Sequence, residues 1–290
     1  MDDAIKRVRR FNRAVTAAVG ALDESFLGRG RPLGSARVIN AVGQGRTDVA
    51  VLREYLGIET SLMSRLLRGL EDEGLVETVV SELDARRRVV RLTRAGASEF
   101  RAYERLSNAQ AKAALASHAR PDELLAAMDL VAAALGRDRV TIEEVDPRGE
   151  AAGFCLAAYY EEIGRRFEHG FDVSRSRDPL AAQLSRPRGV FLVARSDDLP
   201  VGCVGLKGDG QGAAEIKRLW VAPSARGIGL SKRLMAEVEQ IARELSISTL
   251  RLDTNRALSE AKQLYLKTGW QEIDRFNDDP YADSFFEKRL

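Results

Sequence analysis

Cysteine, histidine and aromatic residues are all scarce in this chain, and each scarcity removes a class of chemistry. The two cysteines, Cys155 and Cys203, are far apart in apolar surroundings. Neither has a second thiol at metal-ligand spacing, which excludes a disulfide framework and makes both core filler. The two histidines, His118 and His169, are equally isolated, so no zinc site and no other metal is expected. Aromatic residues make up 6% of the chain, so its cores must be built mostly from leucine, valine and alanine. No run approaches ~18 consecutive apolar residues, so no segment is expected to span a membrane. The opening residues, MDDAIKRVRRF, lack an apolar core with a small-residue cleavage site behind it. A soluble, cytoplasmic protein is expected.

The chain's 290 residues are enough for two domains, and 44% apolar with 30% charged residues is ordinary for a globular protein. The net charge of +2 hides a mild asymmetry. Residues 1–138 hold 22 Lys+Arg against 19 Asp+Glu, while 139–290 hold 23 against 24. So small a bias identifies no partner, and where the arginines fall matters more.

Residues 3–22 carry apolar side chains at helical spacing (Ile5, Val8, Phe11, Val15, Val19) and predict an opening helix. A short helix is expected from Ser35 to Val42. A second is expected after Thr47 as cap, ending at Gly57, and a third from Glu59-Thr60-Ser61 to Gly74. Helix, short turn, helix is the helix-turn-helix order. Ser61, Ser64, Arg65 and Arg68 lie off the leucine stripe of the third helix, where hydroxyls and guanidinium groups suit phosphates and base edges. Two short strands, Leu75–Val80 and Val89–Thr93, flank a turn bearing Arg86-Arg87-Arg88, a basic hairpin suited to backbone phosphates or the minor groove.

With its Arg65-x-Leu67-x-x-Leu70-Glu71-x-x-Gly74 run and Asp84-x-Arg86 wing, closing on Leu92-Thr93-x-x-Gly96, the stretch from Thr47 to Thr93 resembles the winged helix-turn-helix of MarR-type regulators. The resemblance implies that Asp84 orients the wing arginine and that Arg86, with Arg87 beside it, reaches double-stranded DNA. It also implies that Ser61, Ser64, Arg65 and Arg68 face the major groove. Alanine- and leucine-rich helices expected at 95–115 and 122–135 would, with the opening helix, form a homodimer interface. They could equally complete a monomeric core.

The domain boundary is expected at Gly136-Arg137-Asp138, dividing residues 1–137 from 138–290. Beyond it strands are expected at 140–145, 190–195, 201–206, 215–222 and 248–254, with a final pair after Gly269-Trp270. Helices are expected at 150–167, 230–245 and 257–268, and a loop containing Pro179 and Pro187 precedes the second strand. The stretch EIKRLWVAPSARGIGLSKRL, residues 215–234, joins a strand, a glycine turn and a helix N-terminus. Free N–H groups of a first helical turn and the helix dipole suit a pyrophosphate. A dinucleotide-binding unit is the competing reading, but the first glycine of GxGxxG is missing and the turn does not follow the domain's first strand.

Arg226-x-x-Gly229-x-Ser231, then Leu252-Asp253-Thr254-Asn255 and Ala261-x-x-Leu264-Tyr265-x-x-x-Gly269-Trp270, resemble the GNAT superfamily of acetyl-CoA-dependent N-acetyltransferases. Ser231 departs from the family's usual Gly or Ala but keeps its N–H. The fold implied for the whole chain is two domains. An all-α winged helix-turn-helix with a small β wing is followed by an α+β GNAT fold on a mixed central sheet. The resemblance implies acetyl-CoA held by Trp220, Val221, Arg226, Gly227, Gly229, Leu230, Ser231, Asn255 and Tyr265. Glu215 falls at a general-base position, Tyr265 at a general-acid position, and Asn255 would position the coenzyme arm. The amine acceptor is expected against Tyr159, Glu162, Phe171, Asn277 and Tyr281, where acidic and aromatic groups suit a cation. Small-molecule amine, amino acid and protein lysine remain open. The expected function is a regulator that also moves an acetyl group to a primary amine. A regulator whose second domain senses a ligand without turnover is the alternative.

Overall fold

The computed structural model describes residues 2–82, 84–175 and 181–290, so Pro179 of the expected loop lies outside the described residues. The chain divides into two compact units, Met1–Pro121 and Asp122–Leu290.

In the first unit the elements run α1 (Asp2–Ala18), α2 (Leu33–Gly43), α3 (Val49–Leu56), α4 (Thr60–Asp72), β1 (Val76–Val80), β2 (Arg88–Leu92) and α5 (Arg94–Ala116). Asp48, rather than Thr47, caps α3, its carboxylate accepting from the N–H groups of Ala50 and Val51. Thr47 is occupied differently: its carbonyl accepts from Val90 N–H at 2.8 Å, tying the wing to the start of α3. Gly57 closes α3 in the left-handed region (φ 65°), as a helix end before a tight turn requires. Met63, Leu67 and Leu70 bury one face of α4 against Ile39, Leu52 and Val90. The antiparallel pair β1–β2 runs in register from Val76↔Leu92 to Val80↔Arg88. The apolar stripe of α1 is exposed along its length, with Val8 59% accessible.

The second unit takes in α6 (Pro121–Gly136), then β3 (Thr141–Glu144), α7 (Glu150–Arg166), β4 (Val190–Ser196), β5 (Leu199–Gly208), β6 (Ala213–Val221), α8 (Leu230–Glu244), β7 (Thr249–Thr254), α9 (Ser259–Lys267), β8 (Gln271–Ile273) and β9 (Ser284–Arg289). The compact units part at Pro121/Asp122 rather than at 137/138, because α6 packs Ala133 into the second unit's core beside Val140. The glycine and charges that end α6 mark a helix end, not a change of core.

The sheet order is β3-β4-β5-β6-β7-β9-β8. Among the described residues its one parallel pairing, β6 with β7, is short: Ala213↔Thr249, Ala214↔Leu250 and Glu215↔Arg251. Both strands continue beyond it, β6 to Val221 and β7 to Thr254, without further pairing to each other. The sheet therefore opens into a wedge at its centre. One face is covered by α8, with Leu230, Leu234, Met235 and Val238 in the core. The other is covered by α7, where Cys155 and Cys203 join Phe191, Val193 and Trp220 in a separate buried cluster. Distant in sequence, the two thiols meet there, and burial pushes that of Cys203 upward. Among the described residues no helix is long and apolar enough to cross a membrane.

Candidate functional site

The open wedge gives β6 its chemistry. Ala222 N–H donates to Val201 of β5 at 2.9 Å, and strand alternation therefore turns the neighbouring Val221 N–H to the unpaired edge. Trp220 N–H faces the other way, toward the Cys203 sulfur. Of the two N–H groups expected to meet an acyl donor, only that of Val221 points into the wedge.

A cavity of about 260 Å³ runs along this edge to the start of α8, lined by Leu219, Trp220, Val221, Arg226, Gly227, Gly229, Leu230 and Ser231. Gly227 and Gly229 have φ of 78° and 83°. Such angles cost a side-chain-bearing residue roughly 1–2 kcal/mol, and a Cβ at either position would meet no atom within 4 Å. The turn is thus both left-handed and uncovered. Gly229 caps α8 without any side-chain hydrogen bond, leaving the N–H groups of Leu230, Ser231 and Lys232 for an external acceptor. Ser231 supplies its N–H like any residue there. The cradle fits a pyrophosphate.

Arg226 is held beside it. Its Nε donates to Val221 O at 3.0 Å and its Nη2 to Glu162 at 2.6 Å. Glu162, expected on the acceptor side, lines this larger cavity, where it also accepts from the Trp220 indole at 3.0 Å and pairs with Arg166 at 3.2 Å. Arg166 reaches from α7 to Glu260 at 2.8 Å and to the carbonyl of Ala257 at 2.7 Å. The hydrogen bond from Arg166 pushes the Glu260 carboxyl down to about 2.

A second, smaller cavity of about 70 Å³ adjoins the first; Tyr159, Leu219, Leu258 and Ala261 line both. Tyr265 and Asn255, each expected at the coenzyme, line this second cavity. Burial, with Tyr159 and Asp253 nearby, pushes the Tyr265 hydroxyl well above its ordinary value, so it stays protonated. Asn255 is engaged locally, donating to Tyr281 O at 2.7 Å and accepting from Ala257 N–H at 2.9 Å. Phe171 and Tyr281 are in the wall, their ring centroids 4.8 Å apart, and the Tyr281 hydroxyl accepts from Asp172 N–H at 2.9 Å. Burial raises the Tyr159 hydroxyl against the opposing pull of Arg218.

Glu215 and Asn277 line neither cavity. Glu215 lies in the last paired step of β6 with β7, where Lys217 (3.1 Å) and Lys207 (3.5 Å) hold its carboxylate. Asn277 is buried, donating to Asp253 at 2.7 Å and accepting from Asp279 N–H at 3.1 Å.

Sequence reasoning missed the charged groups that do line the second cavity: Lys217, Arg218, Asp253 and Asp279. Lys217 pairs with Asp253 at 2.5 Å. Burial lowers its basicity, but Asp253 and Glu215 outweigh that and raise it, so it remains an ammonium. Arg218 owes its place to a β-bulge. β5 pairs Cys203 with Trp220 and Gly205 with Lys217, which leaves Val204 facing both Arg218 and Leu219. Arg218 adopts φ 57° there, a left-handed conformation that costs a non-glycine residue about 1 kcal/mol or more. A residue of this size with positive φ leaves no mark on the hydrophobic pattern.

In the first unit Ser61, Ser64, Arg65 and Arg68 are all exposed on α4. The Ser64 hydroxyl donates back to Thr60 O at 2.9 Å. Arg86 and Arg87 are exposed in the wing. Asp84 accepts from the Arg86 backbone N–H at 2.9 Å, while its ion pair is with Arg87 at 3.7 Å. Arg87 also approaches Asp48 of the α3 cap at 3.6 Å. The aspartate thus fixes the Arg86 backbone and steers the next side chain along.

Residues 146–270 match the acetyltransferase (GNAT) family, and residues 29–87 match the MarR family. An uncharacterised N-acetyltransferase of Schizosaccharomyces pombe is 33% identical over 120 residues, 39% of this chain and 74% of that protein. An IAA acetyltransferase of Azospirillum brasilense is 36% identical over 112 residues, 37% of this chain and 72% of that protein. Among solved structures, a PaiA N-acetyltransferase of Thermoplasma acidophilum in complex with coenzyme A gives a TM-score of 0.42 at 20% identity, covering 52% of this chain and 99% of that one.

Proposed function

Since the chain belongs to the acetyltransferase (GNAT) family and carries a MarR-family region, we propose that it both regulates transcription and transfers an acetyl group from acetyl-CoA to a primary amine. The observation that carries the transferase half is the meeting of the open β6 edge and the uncapped start of α8 on one cavity. The coenzyme supplies an activated acetyl group as a thioester. The N–H groups of Leu230, Ser231 and Lys232 hold its pyrophosphate, with Arg226 swinging from Glu162 to join them. Val221 N–H polarises the acyl oxygen from the unpaired edge. The protonated Tyr265 hydroxyl delivers the proton the leaving sulfur requires. Asp253, positioned by Lys217 and Asn277, receives the proton lost by the amine; Glu215 acts behind it through Lys217.

In the first unit α4 enters the major groove and Arg86 and Arg87 take phosphates or the minor groove. The exposed apolar stripe of α1, with Ile5, Val8, Phe11 and Val15, forms a homodimer interface with α5. DNA and acetyl-CoA place this work in the cytoplasm.

A second reading, ligand sensing without turnover, draws support from Glu215, which lines neither cavity and whose carboxylate is held by Lys207 and Lys217. Release of free coenzyme A thiol from acetyl-CoA over a panel of amines separates the two. Amine-dependent thiol release is expected, whereas coenzyme binding with no amine-dependent release establishes the sensor.

A further inference from the structure

The acceptor cavity is built around a buried guanidinium. Arg218 is 7% exposed, and the adjacent Lys217, which alternation turns to the opposite face, is buried as well, so alternation alone does not account for its position. The bulge opposite Val204 re-aims it, with a left-handed φ that is unfavourable for a residue with a side chain. The guanidinium carbon lies 5.6 Å from the Tyr159 ring centre and 5.4 Å from that of Tyr160. The next residue, Leu219, lines both cavities, so Arg218 stands one residue from the junction where donor and acceptor must meet. Beyond Tyr160, Phe171 stacks on that ring (5.6 Å, 12°) and contacts Tyr281, with Phe167 edge-on to Phe171 at 6.1 Å.

Together these features define two recognition elements beside a reacting centre: a planar cation and an aromatic wall. Guanidinium forks match carboxylates in two parallel hydrogen bonds. We propose that the acceptor is a small amino carboxylate with an aromatic or bulky apolar side chain, its carboxylate received by Arg218 and its side chain by Phe167, Phe171 and Tyr281. This rests on the transferase reading above. In the step itself the acceptor nitrogen bonds to the acetyl carbon, the carbon–sulfur bond breaks, and the proton lost by the amine balances the one gained by the departing sulfur.

The test is acetylation of a matched set by the full chain: phenylalanine, phenylalaninamide, phenethylamine, glycine and a lysine-containing peptide. Phenylalanine is expected to exceed phenylalaninamide and phenethylamine in kcat/KM by at least about tenfold, because a site built for a polar group rejects analogues that lack it. Glycine and the peptide are expected to be poorer still. Arg218→Asn accommodates the positive φ and removes the charge. It is expected to raise KM for phenylalanine at least about tenfold more than KM for phenethylamine. Arg218→Lys should restore part of the preference. Equal use of phenylalanine and phenethylamine by the wild type, or equal losses on both in Arg218→Asn, would overturn the assignment. If acetyl-CoA binds and no amine is acetylated, the transferase reading fails separately. Calorimetry of phenylalanine against the coenzyme-A-saturated chain then decides this site: binding weakened by Arg218→Asn supports it, and no binding to the wild type overturns it.

Discussion

Two loops in this chain carry arginine, the wing and the glycine turn, and they are built in opposite ways. In the wing, Arg86 and Arg87 are exposed, and one aspartate holds the backbone of the first and the side chain of the second. In the glycine turn, Arg226 is one contributor among several. It is held by Glu162 and Val221 O, while the cradle itself consists of backbone N–H groups and two left-handed glycines. Mobile surface cations suit a repetitive polyanion approached at many registers, with affinity arising from counterion release. A fixed set of N–H dipoles suits one ligand in one pose. Substitutions should therefore act steeply at the turn and gradually at the wing.

The largest effect is expected from Gly229→Glu, which forces a side chain into a left-handed position and sets a carboxylate where the phosphates would lie. Acetyl-CoA affinity should fall by at least about 100-fold, some 2.7 kcal/mol, while duplex affinity in a gel shift stays unchanged. Gly96→Ala comes next and acts on the other unit alone. Its Cβ would sit 1.9 Å from Leu75 O at the junction of β1 and α5. Overpacking of this kind typically costs about 1–3 kcal/mol. Chemical denaturation should show the first unit weakened and coenzyme affinity preserved, and loss of both would contradict the separation of the units. Arg86→Ala should weaken duplex binding by roughly 3- to 10-fold and reduce the salt slope by about one, measured by fluorescence anisotropy across a salt series.

The smallest effect concerns the Arg166–Glu260 pair beside the larger cavity. Because the folded-state carboxyl titrates near 2, below its ordinary value of about 4.3, the pair stabilises the fold fully above that ordinary value. The contribution is lost as pH falls toward 2. Glu260→Gln should flatten the acid limb of thermal stability between those values and leave it unchanged at neutral pH. The pair is half exposed, so the difference will be modest.

Much of this was legible in the sequence because it is written locally. Periodicity located α4 and α8, Gly57 and Gly74 marked helix ends, and Arg226-x-x-Gly229 announced the turn. What escaped was decided by residues distant in the chain. Glu162 meets Trp220 and Arg226 only once α7 covers the sheet. Asp253, Lys217 and Asn277 come together from three elements. Glu215 has the right spacing from the turn, yet the wedge opens only after its pairing with Arg251, which leaves it outside the cavity. The Arg218 bulge depends on a one-residue mismatch between strands, and no pattern along β6 alone reveals it.

The claim on which the rest depends is that the open β6 edge and the start of α8 receive one acetyl-CoA. Calorimetric titration of the intact wild-type chain tests it most directly. Saturable binding of one coenzyme per chain is predicted, retained in Arg86→Ala and lost in Gly229→Glu. Absence of binding to the wild type, or undiminished affinity in Gly229→Glu, would contradict it.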